Sequence, residues 1–266
     1  HSCSCGSTYK DNEKPIIDHN YVDNVCTGCG KQNRTSEGLK FSLNSDRKSY
    51  MLFDIGECND TEIVIPSEYN GLPVTSINNS AFWRCTGLTS IIIPDSVTSI
   101  GGAFYKCSSL TSVTIGNSVT SIEGYAFYKC SSLTSIVIPD SVTSIGGYAF
   151  SGCTGLTSVT IGNSVTSIGA NAFEGCSKLT SATIGNSVTS IGDCAFKDCS
   201  GLTSITIPDS VTSIGDYAFY KCSSLTSIVI PDSVTSIGEN AFSYCEGLTS
   251  IVIPDSVTSI GDSAFS

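Results

Sequence analysis

The amino-acid sequence predicts a repeat solenoid, a stack of similar coils that share one core. The first observation is a cysteine period: eight cysteines stand 22 residues apart once and then 23 residues apart six times, each three residues after an Ala-Phe pair. The second is an alternation of apolar and polar residues between the cysteines, with the two-residue period of a strand. A unit of this length cannot bury its apolar side alone and therefore stacks on its neighbours. The periodic cysteines are Cys85, Cys107, Cys130, Cys153, Cys176, Cys199, Cys222 and Cys245.

The first half of each unit predicts a short strand followed by a turn. In the unit LTSIVIPDSVTSIGGYAFSGC, which ends at Cys153, Leu133, Ile136 and Ile138 point inward and the residues between them point outward. The Pro-Asp pair that follows turns the chain, because proline presets φ and aspartate hydrogen-bonds within its own turn. Stacked copies of the strand are expected to form a parallel sheet, with coils about 5 Å apart.

The second half of the unit closes the coil. Val142 and Ile145 predict a second, shorter extended segment, and Ala149, Phe150 and Cys153 have the spacing of a helical or 3₁₀ turn. Cysteine is among the most buried residue types and packs as a small hydrophobe, so the periodic cysteines are expected to be inert core thiols. The predicted fold is a mainly β solenoid of about nine coils.

The unit L-T-S-I-x-I-P-D-S-V-T-S-I-G-x-x-A-F-x-x-C resembles the leucine-rich repeat of BspA-type bacterial surface proteins, over residues 61–266. The resemblance implies a right-handed, curved superhelix in an extracellular or cell-surface protein. It also implies a non-enzymatic module for protein binding or adhesion, with host or microbial protein or glycan partners. Two alternatives stay open: a structural spacer that displays another domain, and the repeat part of an enzyme whose catalytic domain lies elsewhere.

The segment before the repeats divides into two parts. Residues 37–60 predict a β-hairpin, with strands around Phe41 and Leu52, that caps the first coil and covers its apolar end. At the other end the chain stops at Ser266 in the middle of a unit. We therefore expect a fragment of a longer protein with a further carboxyl-terminal domain.

Residues 1–36 are polar and rich in cysteine, without the repeat. The Cys26-Thr-Gly-Cys29 turn is similar to half of a zinc ribbon, and Cys3, Cys5 or His19 would complete a tetrahedral structural zinc site. Disulfides among the same cysteines are the alternative, since a short secreted segment cannot build a core. The only cofactor predicted is this structural zinc, and none is predicted in the repeats.

Composition argues against several classes of function. Charged residues make up 14% of the chain, and the formal net charge is -11, which repels nucleic acid and anionic membrane surfaces. No stretch approaches the roughly 18 apolar residues of a membrane span. The repeats contain no histidine, because the two in the chain are His1 and His19. Ser-His-Asp or Cys-His catalysis in the repeats is therefore excluded, and no enzyme is predicted.

Two further features vary between units. The carboxylates Asp193, Asp216 and Glu239 occupy one repeat position, and they predict either a solubilising rim or a ridge for cations or a basic partner. Cys194 stands where other units have tyrosine or asparagine, which predicts an exposed, reactive thiol.

Aromatic residues flank the Phe of the Ala-Phe pair in many units and are the main candidates for binding. Tyrosine and tryptophan combine a large contact area with a polar tip, and they dominate binding hot spots. The alternative is that each ring packs on the ring of the next coil and stiffens the stack. The candidates are Trp83, Tyr105, Tyr128, Tyr220 and Tyr244 after the phenylalanine, and Tyr125, Tyr148 and Tyr217 before it.

Overall fold

The structure, a computed structural model, describes residues 35–266 and, further upstream, the short antiparallel strands β1 (Tyr21–Val22) and β2 (Val25–Cys26). Residues 35–266 form a β-solenoid of about nine coils that repeat every 23 residues or so. The predicted solenoid class is therefore confirmed.

A β-hairpin precedes the first coil. Strands β3 (Lys40–Leu43) and β4 (Tyr50–Asp54) pair antiparallel, and β4 pairs parallel with β7 (Leu72–Ile77). A two-residue strand, β6 (Glu68–Tyr69), pairs antiparallel with the start of β7. Leu52 of the hairpin is completely buried, so the hairpin extends one sheet of the solenoid and covers the first coil.

One face of the solenoid carries the longer strand of each coil. Within each of its two sheets, successive strands pair in parallel and in register, so that Ile136 pairs with Val159 of the next coil. Ile136 and Ile138 are buried, whereas Val137 between them is 65% exposed, as the alternation predicts. These strands are β5 (Glu62–Val64), β8 (Ser90–Ile92) and β10 (Ser112–Thr114) in one sheet, and β12 (Ser135–Ile138), β14 (Ser158–Ile161), β16 (Ser181–Thr183), β18 (Ser204–Thr206) and β20 (Ser227–Val229) in a second.

A second face carries the shorter extended segment of each coil. Its strands continue from β7 in one parallel ladder, with the isoleucine of each coil paired to that of the next. These isoleucines are buried except Ile260 of the last coil, which is exposed. These strands are β9 (Ser99–Ile100), β11 (Ser121–Ile122), β13 (Ser144–Ile145), β15 (Ser167–Ile168), β17 (Ser190–Ile191), β19 (Ser213–Ile214), β21 (Ser236–Ile237) and β22 (Ser259–Ile260).

The segment that closes each coil consists of separate hydrogen-bonded turns. The spacing predicts a helical or 3₁₀ turn, but Tyr148 and Gly152 have φ of 59° and 72° and interrupt the right-handed backbone that a helix needs. Coils are joined here by backbone bonds such as that from Phe150 N to Ala172 O, 2.8 Å long. Residues 35–266 contain no helix, hence none that could cross a membrane.

The core is built from columns of equivalent side chains, among them a column of stacked phenylalanines and a column of thiols. Neighbouring Phe rings lie 5.1–5.5 Å apart between centroids and within 8° of parallel. The predicted burial of the periodic cysteines holds for seven of the eight, and Cys85 of the first repeat is only half-buried. The stacked phenylalanines are Phe82, Phe104, Phe127, Phe150, Phe173, Phe196, Phe219, Phe242 and Phe265.

Candidate binding surface

The candidate aromatic residues project from the turn segment that closes each coil. Those before the Ala-Phe pair have left-handed backbone, with φ of 62° at Tyr125, 59° at Tyr148 and 56° at Tyr217. This conformation lets the backbone N–H of Tyr125 donate to the carbonyl of Gly147 in the next coil, at 3.1 Å. The hydrogen bond between coils offsets the strain of a left-handed residue, about 1 kcal/mol.

The aromatic side chains of the first four repeats form one cluster, called here the amino-terminal aromatic cluster: Trp83, Tyr105, Tyr125, Tyr128 and Tyr148. Trp83, Tyr105 and Tyr128 stack in one column, with centroids 6.5 and 4.9 Å apart. Tyr125 and Tyr148 stack in a second column at 4.9 Å. The columns meet edge to face where Tyr125 lies 5.6 Å from Tyr128. The cluster is therefore one continuous aromatic surface.

The stacking limits which rings can contact a partner. Tyr105 has a ring on each side and is half-buried, so both faces of its ring are covered. Trp83 and Tyr125 are more open, with 51% and 45% of their surface exposed. Ring-on-ring packing, the alternative role expected of these residues, is thus present in the cluster, and exposed aromatic area remains at its margins.

A second, smaller cluster contains Tyr217, Tyr220 and Tyr244. Tyr220 meets each of the other two edge to face, at 5.4 Å in both cases. The Tyr217 hydroxyl donates to Glu239 Oε1 at 3.0 Å, and this hydrogen bond raises the pKa of the Tyr217 phenol. Between the clusters the position before the Ala-Phe pair holds Asn171 and Cys194 instead of tyrosine. The predicted aromatic row is therefore divided in two.

Cations lie over several of these rings, and this feature was not predicted from the sequence. The Arg84 guanidinium carbon is 4.4 Å from the Trp83 ring centroid. Lys106 Nζ lies 5.3 Å from the Tyr105 ring centroid, and Lys129 Nζ lies 5.2 Å from the Tyr128 ring centroid. The signal was present in the sequence, because all three cations stand two residues after the phenylalanine of their unit.

The row of carboxylates connects one coil to the next. Asp193 Oδ1 accepts from the backbone N–H of Asp216 at 3.0 Å, and Asp216 Oδ1 accepts from that of Glu239 at 2.7 Å. Each aspartate thus satisfies a backbone donor that would otherwise point to solvent. Across residues 35–266, no three His, Cys, Asp or Glu side chains come together in a group that could hold a metal ion.

Cys194 is half-buried, at a left-handed position with φ of 56°. Burial raises the pKa of its thiol; Glu174 and Asp193 raise it further, and Lys197 lowers it. A reactive cysteine needs a depressed pKa, so the surroundings of Cys194 do not activate the thiol.

The predicted zinc ligands Cys3, Cys5, His19 and Cys29 lie outside the described residues, as does the Cys26 side chain. The zinc or disulfide site therefore stays a prediction from the sequence, as does the division of the chain at residues 36 and 60.

In-register parallel strands, a column of stacked phenylalanines and a period of about 23 residues define a solenoid of the leucine-rich repeat class. The family model described as "BspA type Leucine rich repeat region (6 copies)" matches residues 55–180 and 166–266. The chain belongs to this family.

Similar solved structures support the same assignment. A leucine-rich repeat protein from Bacteroides ovatus is 32% identical, with a TM-score of 0.76 over 86% of this chain and 61% of that one. The Treponema pallidum leucine rich repeat protein is 29% identical, with a TM-score of 0.64 over 81% of this chain and 90% of that one. The chain thus spans about three fifths of the B. ovatus protein. No curated protein matches the sequence.

Proposed function

We propose that this chain is a non-enzymatic binding module of a secreted or cell-surface protein, and that it mediates adhesion to protein or glycan partners. The observation that carries the proposal is the amino-terminal aromatic cluster, where Trp83 and Tyr125 expose about half of their surface at the edge of the solenoid. Exposed aromatic area of this kind is enriched at contact hot spots and stacks on sugar rings. The repeat family supports interaction with other macromolecules.

The fold favours many weak contacts over one pocket. Each coil presents similar groups at the spacing of the stacked Phe rings, 5.1–5.5 Å, so an extended partner would meet several equivalent sites. Contacts of this kind add through effective concentration. Because the aromatic clusters differ in size, we expect the amino-terminal cluster to contribute the larger share of binding.

The test is binding of the purified chain to an array of extracellular matrix proteins and glycans. The variant Trp83→Ser/Tyr125→Asn removes the exposed rings and replaces them with residues that the chain itself uses at these repeat positions, in Ser151 and Asn171. Val229→Thr is the matched control, since Val229 is 78% exposed on the strand face and Thr160 takes its place in another coil.

We expect saturable binding that the aromatic variant loses and the strand-face variant keeps. Binding that the aromatic variant retains would show that the contact surface lies elsewhere on the chain. Absence of binding to every partner would instead favour the structural spacer, for which ring stacking and carboxylate bonds between coils are sufficient.

A further inference from the structure

A shallow, open groove runs along the solenoid beside the amino-terminal aromatic cluster, and we call it the basic groove. It has a volume of about 520 Å³ and crosses four repeats. Two columns of residues line it. The position two residues after the phenylalanine holds a cation in three repeats and glycine in the fourth, and the position two residues further on holds a hydroxyl. The lining residues are Arg84, Lys106, Lys129 and Gly152 in the first column and Thr86, Ser108, Ser131 and Thr154 in the second.

The charge of the basic groove is opposite to that of the chain. Three cations line the groove and no carboxylate does, although the formal net charge is -11. Within residues 35–266 the only salt bridge joins Lys197 to Glu174, so none of the three cations is neutralised by a described carboxylate. Three aligned cations without partners provide a local attraction for a polyanion.

The lysines are held in position. Lys106 and Lys129 have φ of 59° and 55°, and each ammonium group lies over an aromatic ring. The Lys129 side chain lies against the next coil, because a Cβ on Gly152 would come within 2.8 Å of Lys129 Cγ. The row of cations ends at this glycine, and the same position holds Gly175 and Asp198 in the two following coils.

The spacing of the cations favours a sugar chain over a peptide. The phenylalanines of the three coils are 5.1 Å apart. The rings beneath the three cations are 6.5 and 4.9 Å apart, so the mean step between cations is shorter than the repeat of a peptide. Side chains on one face of an extended peptide repeat at about 6.6–6.8 Å, so an acidic peptide would drift out of register. A pyranose unit is close to the coil spacing in length, and hydroxyl columns and aromatic margins suit sugar rings.

We propose that the basic groove binds an anionic polysaccharide, with one carboxylate or sulfate group per sugar facing each of Arg84, Lys106 and Lys129. The inference rests on the proposed binding function and names the ligand class for its main surface. The sugar hydroxyls would bond to the row of serine and threonine hydroxyls. The footprint is three charged sugars, because the cation row ends at Gly152.

The experiment measures affinity of the full chain for heparin, which is sulfated, and for polygalacturonate, which is carboxylated, with dextran and polyglutamate beside them. We expect binding to heparin, polygalacturonate or both, weakening as salt rises, and weaker binding to dextran and polyglutamate. Lys129→Gln should weaken it about threefold to fivefold, and loss of all three cations by tens of fold.

Two variants make the test specific. Lys221 occupies the same repeat position, 5.2 Å over Tyr220, but its neighbours are Asp198 and Tyr244, so Lys221→Gln should leave the affinity unchanged. Lys129→Arg should keep the affinity, because it retains the positive charge at this position. Equal melting midpoints show that the variants are folded.

Equal affinity of the wild type and Lys129→Gln for both polysaccharides would overturn the inference, as would a preference for polyglutamate, which would indicate an acidic protein. If array binding persists and is insensitive to Lys129→Gln, the inference fails while the proposed function stands. If the chain binds no partner of any class, both fail.

Discussion

The Cys153 thiol donates a hydrogen bond of 3.1 Å to the carbonyl oxygen of Phe127, one coil earlier. The same oxygen also accepts from the backbone N–H of Cys130 at 3.1 Å. Equivalent thiol bonds recur in all seven coils from Cys107 to Cys245, at 3.0–3.3 Å. Each bond requires a protonated thiol, so the core depends on thiols that keep their protons.

Alkaline pH should therefore destabilise the fold. Burial raises the pKa of Cys107 from 9.0 to about 12 and that of Cys245 to about 11. The pKa of these thiols is lower in the unfolded chain, about 9.0, than in the folded chain. Below pH 9.0 the thiols are protonated in both states, and the fold keeps their full stabilising contribution. The contribution is lost as the pH rises towards the folded pKa. Between pH 9.0 and the folded pKa, each such thiol should lower the free energy of unfolding by about 1.4 kcal/mol per pH unit. Urea unfolding between about pH 7 and pH 10 measures this loss.

The variant Cys153→Ala/Cys176→Ala supplies the control. It should be less stable at neutral pH because it leaves small cavities. At alkaline pH its free energy of unfolding should fall less steeply than that of the wild type, by about 2.8 kcal/mol per pH unit, since two titrating thiols are gone. Parallel pH profiles for the variant and the wild type would show that other groups cause the loss.

Phe150→Ala should cost about 3–5 kcal/mol of unfolding free energy. The Phe150 ring is fully buried and stacks at 5.2 Å on Phe127 and on Phe173, so truncation opens a cavity between coils. Urea unfolding measures the loss, and Phe150→Leu should recover most of it. A variant as stable as the wild type would contradict the inward position of this ring.

The core was predictable from the sequence because every unit repeats the same burial pattern. Phe150 and Cys153 lie three residues apart in a period that recurs along the chain, and stacking one unit on the next buries both side chains in the internal coils. The conformation of the closing turns was not predictable from a single unit. Tyr148 adopts a left-handed backbone without being glycine. The sequence does hold one signal for left-handed backbone in these turns. The position two residues after the phenylalanine, which is Lys129 in one coil, is glycine at Gly152 and Gly175.

The candidate surface was predicted less well than the core. The sequence places Tyr105 and Tyr125 at the edge, but only coordinates show that one ring is enclosed in a stack and the other is open. The hydrogen bond from the Asp216 backbone to Asp193 depends on side-chain orientation, which periodicity does not determine. The basic groove depends on a spacing between coils that is visible only in the stacked structure.

Gly192→Ala should destabilise the solenoid by about 1–3 kcal/mol, because an added methyl group would overpack the contact between coils. A Cβ on Gly192 would lie 2.6 Å from the Ile168 carbonyl oxygen and 2.9 Å from Ala170 N, both backbone atoms that cannot move aside. Gly87→Ala is the control, since nothing lies within 4 Å of its added Cβ. Equal melting midpoints for the two variants would refute the close approach.

Native-state alkylation should distinguish Cys194 from Cys176. Cys176 is fully buried, and burial raises the pKa of its thiol well above the ordinary value, so it should react only after unfolding. Cys194 is half-buried with a raised pKa, so it should react slowly at neutral pH. Its rate should increase about tenfold per pH unit below its pKa. Mass spectrometry of iodoacetamide adducts measures both rates, and equal labelling would contradict the buried column of thiols.

Asp216→Ala should lower the stability slightly, whereas Asp216→Asn should be neutral. Alanine removes the oxygen that accepts from the backbone N–H of Glu239 at 2.7 Å, but asparagine keeps an acceptor there. The N–H is solvent-accessible once freed, so the loss should stay below about 1 kcal/mol. Added calcium should leave the melting midpoint of the wild type unchanged, because no three carboxylates within residues 35–266 come together in a group that could hold a metal ion. A midpoint that rises with calcium, and does so less in Asp216→Ala, would instead make the carboxylate row a cation site.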